Sequence, residues 1–280
     1  MPFLERAGKP RLHYELDDFT DPWKRAPAIL LQHGYARSSK FWRAWVPYLS
    51  RFYRVIRLDL RGLGESGTDF DLEKGINLAA YLEDFNDLLD HLGIEAVHYC
   101  GESSAGTLGM AFAAECPRRV RTLSVISSPV AMTEEDKASS LGGYANRVEA
   151  LRNMGSRGWL EASNAGRRFP ADADPALLEW SLDEMGKSAV EVLVAMFRFV
   201  SSVDAAPYLP RIEAPVLAIY PVAGVIAKDE HVELLREKVR DITIVRMPLR
   251  AHSLQLVAPA TCALEVLHFV ARHDGVVCRE

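Results

Sequence analysis

The chain is poor in cysteine, with four in 280 residues, at Cys100, Cys116, Cys262 and Cys278. Their spacings fit no zinc module, and so few in so long a chain make no disulfide framework. They read as reduced thiols, the expectation for a cytoplasmic protein, and Cys100, inside an apolar run, reads as core. No apolar run approaches the roughly 18 residues of a membrane span. The opening residues Pro2-Phe3-Leu4-Glu5-Arg6 lack the apolar stretch of a secretory leader. A basic excess is also missing: 33 Lys and Arg stand against 38 Asp and Glu, a formal net charge of -5. That gives no reason to expect a nucleic-acid or membrane partner. A small-molecule substrate is expected instead, with a homodimer left open. Repeats and low-complexity segments are absent as well.

What is there is ordinary globular material, 49% hydrophobic and 25% charged, enough for one large domain with an insertion. Arg11 to Asp17 alternates apolar and polar residues, which suits an antiparallel edge strand. The continuous apolar run Ala28 to Gln32 suits a strand covered on both faces. Phe41 to Leu49 reads as an aromatic-rich helix and Tyr53 to Leu60 as a strand. Leu78 to Leu92 carries a helical apolar stripe closed by Gly93. Strands are expected at Val97 to Cys100 and Arg121 to Ser127. Strand and helix therefore alternate, the pattern of a mostly parallel sheet with helices on both faces, an α/β fold.

From Ser128 to about Ala206 no strand signal occurs, and prolines and glycines cut the segment into helices, one of them opened by Asp174 as N-cap ahead of Pro175. The expected division is a core of 1–128 and 207–280 with a helical insertion, 129–206. Pro215 to Tyr220 resumes the sheet, Asp229 to Val239 is helical, Ile242 to Met247 is a strand, and Thr261 to His273 closes the chain as a helix. The loop Arg61-Gly62-Leu63-Gly64-Glu65-Ser66 is rich in glycine, but no Gly-Lys-Ser/Thr follows, so it reads as a turn with Asp59 and Arg61 paired locally.

The segment Val97-His98-Tyr99-Cys100-Gly101-Glu102-Ser103-Ser104-Ala105-Gly106 carries the chemistry. A strand runs into a small-residue turn and a helix follows. A serine on such a tight turn sits in a strained backbone, so residues two before and two after it must be small. Gly101 and Ala105 satisfy that for Ser103; centring the turn on Ser104 would put Glu102 at a small position. Ser103 is the candidate nucleophile.

These residues, with His33-Gly34-Tyr35, Asp59-Leu60-Arg61-Gly62-Leu63-Gly64-Glu65-Ser66 and His252, resemble the alpha/beta-hydrolase superfamily over nearly the whole chain, in particular its branch with a helical cap after the sixth strand. The resemblance implies a Ser103 nucleophile, His252 as base, and an oxyanion hole made by the backbone N–H groups of Tyr35 and Ser104. It also implies a carboxylate after the strand ending at Tyr220, and there the chain departs from the pattern: the turn reads Pro221-Val222-Ala223-Gly224. Asp229 is a candidate for the acid and also reads as the N-cap of the next helix; Ser128, a water or a distant acid are alternatives for holding His252, and His231 is a reserve for the base.

The expected activity is that of a serine hydrolase acting on a small ester, lactone or related acyl compound through an acyl-enzyme on Ser103, with no metal or organic cofactor. Carbon–carbon bond hydrolysis, a cofactor-free lyase and a non-catalytic small-molecule receptor are the alternatives on the same scaffold. Trp42, Trp159, Trp180, Met185 and Phe197 are candidates for an apolar pocket lining.

Overall fold

A computed structural model of the chain describes residues 2–138, 143–164 and 168–278. Eight strands form one sheet: β1 (Phe3–Leu4), β2 (Leu12–Asp17), β3 (Ala28–Gln32), β4 (Arg54–Leu58), β5 (Val97–Glu102), β6 (Val120–Ile126), β7 (Val216–Pro221) and β8 (Ile242–Met247). Their spatial order is β1-β2-β4-β3-β5-β6-β7-β8. β1 and β2 run antiparallel to their neighbours, and every pair from β4 through β8 is parallel. The helices are α1 (Val46–Leu49), α2 (Leu72–Gly75), α3 (Leu78–His91), α4 (Ser104–Glu115), α5 (Glu134–Ala138), α6 (Arg147–Asn164), α7 (Pro175–Gly186), α8 (Val190–Ser202), α9 (Asp229–Lys238), α10 (Leu254–Val257) and α11 (Pro259–Asp274).

Both faces of the sheet are covered, and strand residues alternate between two cores. Leu30 of β3 and Tyr99 of β5 join the core under α3 and α4. Ile29, Leu31 and Cys100 join the other, against Trp42, Trp45 and α11. This double burial explains why β3 is apolar throughout rather than alternating. Asn77 caps α3 by accepting from the Ala80 N–H, and Gly93, at φ +62°, turns the chain out of that helix.

Between β6 and β7 the described residues hold four helices, α5 to α8, and no strand. A bridge between Ala131 and Asp204, with Ala205 N–H donating to Val130 O at 2.9 Å, clasps the two ends of this segment. α6 packs on α7 and α8 and breaks at Gly155, whose φ of 71° and ψ of 171° are not helical. Asp174 caps α7 as expected.

Four local expectations need correction. The edge of the sheet is the two-residue β1, so β2 is covered. Residues Ser39–Trp45 form a 3₁₀ helix, and the α-helix begins only at Val46, because Pro47 fits a first turn and not a helix interior. Asp59 and Arg61 do not pair. The Asp59 carboxylate turns inward to accept from the backbone N–H groups of Ser39 and Glu65 and to bond His13 Nδ1 at 2.7 Å, whereas Arg61 pairs with Asp84 of α3 at 2.6 Å. The N-cap of α9 is Lys228, with Asp229 as the first helical residue.

Candidate active site

Ser103 stands between the last residue of β5 and the first of α4 with φ 55° and ψ -130°, a conformation non-glycine residues rarely adopt. Two backbone bonds hold it there: Ser103 N–H donates to Ile126 O, and Gly106 N–H donates to Ser103 O, both at 2.9 Å. The turn leaves no room around it. A Cβ on Gly101 would lie 2.5 Å from Ala105 O, and one on Gly34 would lie 2.8 Å from Glu102 O. The small-residue demand read from the sequence is thus a matter of backbone approaching backbone.

His252 follows β8 by five residues, in a loop pinned by Trp45 Nε1 donating to Gln255 O at 3.0 Å and by Ser253 N–H donating to Arg168 O at 2.9 Å. Its ring is buried, and Nε2 lies 2.9 Å from Ser103 Oγ. That is hydrogen-bond contact between a hydroxyl and a base able to take its proton.

His33 shapes the loop that faces this pair. Its Nε2 accepts from the Leu60 N–H at 3.1 Å, so the ring proton sits on Nδ1, which donates to Gly34 O at 2.9 Å. Burial pulls the His33 pKa down and keeps the ring neutral. The loop aims the Tyr35 N–H at the elbow, where it donates to Ser104 Oγ at 3.0 Å. Ser104 opens α4, so its own N–H is one of the first-turn donors that have no partner within the helix. The two expected oxyanion donors therefore lie beside Ser103, with the Ser104 hydroxyl occupying one of them.

The third member of a triad is where the chain differs. Gly224 leaves the usual position without a carboxylate. Asp229 does not reach the site: its side chain is 70% exposed and accepts from Arg246 Nη2 at 2.5 Å, across α9 and β8. Ser128 is occupied with Gly101 O and Ile126 O, and His231 is buried elsewhere, its Nδ1 accepting from the Val130 N–H. Among the described residues, the carboxylate within ion-pair reach of His252 is Glu102's, whose Oε1 lies 3.6 Å from Nε2. It approaches the nitrogen that faces Ser103, on the side opposite to a conventional triad acid.

Glu102 is fully buried and ion-paired with Arg37, which also donates to Ser253 Oγ at 2.9 Å. Burial pushes the Glu102 pKa up, and the Arg37 guanidinium pulls against that. Arg37 thus ties the loop after β3 to the elbow and to the loop carrying His252. Sequence reading missed it, because nothing in Tyr35-Ala36-Arg37-Ser38 separates a buried arginine from a surface one.

A cavity of about 110 Å³ opens above Ser103 and His252. Its walls come from the elbow, from α6 and α8, and from the turn before α9. Trp159 and Phe197 line it as expected, and Tyr35 adds its ring, with its hydroxyl donating to Leu193 O at 3.0 Å. Trp42, Trp180 and Met185 belong to the packing instead: Trp42 stands edge-on to Trp45, Trp180 lies on Phe41, and Met185 is core.

The alpha/beta hydrolase fold family matches residues 27–162. An enol-lactonase structure from Burkholderia xenovorans superimposes with a TM-score of 0.85 at 22% identity, covering 96% of this chain and all of that one. The chain has the alpha/beta-hydrolase fold. Among curated relatives of this chain, a protein provisionally named as the carbamate hydrolase RutD, from Agrobacterium fabrum, is 30% identical over 54% of this chain and 55% of its own length. That match spans about half of the relative. A strigolactone esterase from Arabidopsis thaliana is 26% identical over 84% of this chain and 89% of its own. Among the described residues no cluster of His, Cys, Asp and Glu suits a metal ion, and no helix is long and apolar enough to cross a membrane.

Proposed function

We propose that the chain is a serine hydrolase that cleaves a small ester, lactone or related acyl compound through an acyl-enzyme on Ser103. The observation that carries this reading is the 2.9 Å contact between Ser103 Oγ and His252 Nε2 at the floor of a mostly apolar-walled cavity. The names of the relatives, an esterase and a carbamate hydrolase, support acyl transfer at a carbonyl.

In this reading Ser103 Oγ attacks the acyl carbon while its proton passes to His252 Nε2. The Ser104 hydroxyl swings off the Tyr35 N–H, and the oxyanion takes its place, held also by the Ser104 N–H. The negative Glu102 carboxylate favours the imidazolium as it forms. Collapse breaks the bond to the leaving oxygen, which takes the proton from His252. Water, deprotonated by the same nitrogen, then releases the acid and restores Ser103. The helices between β6 and β7 act as the cap that selects the substrate. Four free cysteines support a cytoplasmic location.

Gly224 favours a second reading, a receptor that binds its ligand and turns it over slowly, since disabling the triad acid can cost about 10⁴ in rate. Fluorophosphonate labelling separates the two. The hydrolase reading requires rapid labelling of wild type and none of Ser103→Ala, together with at least 10³-fold loss of p-nitrophenyl acetate turnover in that variant. An inert wild type that binds small esters would leave the receptor standing.

A further inference from the structure

The cavity wall carries a cation that no hydrogen bond explains. Arg168 is 9% exposed and lines the cavity together with Ser103 and His252. Its backbone is fixed beside the base, because its carbonyl accepts from the Ser253 N–H at 2.9 Å. Its guanidinium makes no hydrogen bond or ion pair with any described residue, and Nε is buried without a partner. A buried guanidinium is costly unless an anion or several acceptors meet it.

The charged neighbours do not supply that anion. Arg37 pairs with Glu102, and Glu102 meets Arg168 through space only, without a hydrogen bond or ion pair. Arg147 also lines the cavity, with its guanidinium over the Phe197 ring. Asp136 lines it too, but its carboxylate accepts from Thr133 Oγ1 at 2.8 Å and faces Lys228 at 3.7 Å. Three guanidinium groups thus gather around the cavity and its floor with two carboxylates, both already engaged. Burial, with Arg37 adding to it, pulls the Arg168 pKa down to about 9 against the opposing pull of Glu102, as expected for a positive charge only partly compensated. The Tyr35 hydroxyl in the wall donates to Leu193 O and makes no hydrogen bond with Arg168. The site is built for a negative group brought from outside.

We propose that Arg168 anchors a carboxylate on the substrate, so that the preferred substrates are half-esters of small dicarboxylic acids or lactones bearing a free acid. The proposal rests on the hydrolase reading above and narrows it. An arginine suits the role because its planar fork can grip both oxygens of a carboxylate. Held at that end, the other end of a short chain is delivered to Ser103.

The test compares monomethyl succinate, glutarate and adipate with methyl butyrate, valerate and hexanoate in a pH-stat. At least one half-ester should exceed its neutral partner tenfold or more in kcat/KM. Arg168→Met should collapse that ratio to threefold or less, and Arg168→Lys should retain part of it. Equal rates on both series in wild type would overturn the proposal, as would a preference that survives in Arg168→Met. The wild-type ratio stands by itself should the variants fail to fold. If neither series is hydrolysed and Ser103 takes no fluorophosphonate, the hydrolase reading fails, and the anchor is then read by calorimetry. Ser103→Ala should bind monomethyl glutarate at least tenfold more tightly than methyl valerate, and the added Arg168→Met change should abolish the difference. Indifference of Ser103→Ala to the carboxylate would sink the proposal there as well.

Discussion

A Cβ placed on Gly224 would run into the carbonyl oxygen of Ala227, far inside van der Waals contact, and would also press on Pro221 Cγ at 3.3 Å. The lack of a carboxylate at position 224 is therefore more than a one-residue change. The turn after β7 is folded so tightly that residue 224 has no room for a side chain. Installing the family's residue by Gly224→Asp should consequently fail to repair the site: kcat/KM stays within threefold of wild type, and stability falls by about 1–3 kcal/mol, the usual cost of forcing atoms into a packed backbone. A tenfold rise in kcat/KM would show that the turn relaxes and that the acid was all the site lacked.

Glu102 offers His252 one source of compensation. Its carboxylate, 3.6 Å from His252 Nε2, lies on the reacting side of the ring, where it can stabilise the imidazolium without fixing the tautomer. Neutralising it by Glu102→Gln should lower kcat by ten- to a hundredfold and move the acidic limb of the pH–rate profile to lower pH, since His252 then loses a neighbour that favours its protonated form. The same change strands Arg37, and breaking a buried pair in this way costs about 3–5 kcal/mol. Urea unfolding measures the second effect and the pH profile the first. An unmoved acidic limb would show that Glu102 only packs.

Much of this was legible in the chain itself, and the reasons are local. β3, β5 and the elbow were readable because a strand buried on both faces must be apolar throughout, and because a nucleophile turn must be small at fixed offsets. Such demands act within a few residues. The Asp59 contacts and the Arg37–Glu102 pair were not readable, because each is settled by a partner 20 or more positions away: Asp59 meets His13 and Ser39, and Arg37 meets Glu102. A charged residue in a loop is ordinarily solvated, and only the packing of four segments around His252 makes Arg37 and Arg168 buried. Asp229 misled for the same reason. Its sequence position was reasonable for an acid, but the face of α9 that carries it turns toward Arg246 and solvent.

Two buried histidines contribute to the acid sensitivity of the fold. His33 Nε2 accepts from the Leu60 N–H and His231 Nδ1 from the Val130 N–H, so neither can take a proton there without losing a buried bond. Burial lowers both pKa values. With a folded pKa below the unfolded value of about 6.5, each site binds fewer protons folded than unfolded as pH falls beneath 6.5. Their contribution is complete above about pH 6.5 and is lost below it, by up to about 1.4 kcal/mol per pH unit and group. Glu102, with its raised pKa, works the other way at lower pH. Urea unfolding should give a lower free energy at pH 5.5 than at pH 7.5, with a shallower fall in His231→Gln. A wild type equally stable at both values would contradict the neutral assignment.

The two adjacent serines should behave oppositely on mutation. In the proposed mechanism Ser103 supplies the nucleophile, whereas the Ser104 side chain holds the Tyr35 N–H at 3.0 Å and must leave before an oxyanion can use that donor. A typical net hydrogen bond is worth about 1 kcal/mol, roughly a factor of five. Ser104→Ala removes this competitor and keeps the backbone N–H of residue 104, so kcat/KM should stay level or rise by up to about fivefold, with the gain in kcat rather than KM because the freed donor acts mainly on the transition state. Steady-state kinetics on one ester with both alanine variants decides it. A thirtyfold loss in Ser104→Ala would mean that the hydroxyl itself donates to the oxyanion, and the oxyanion hole would then have to be redrawn around a side chain.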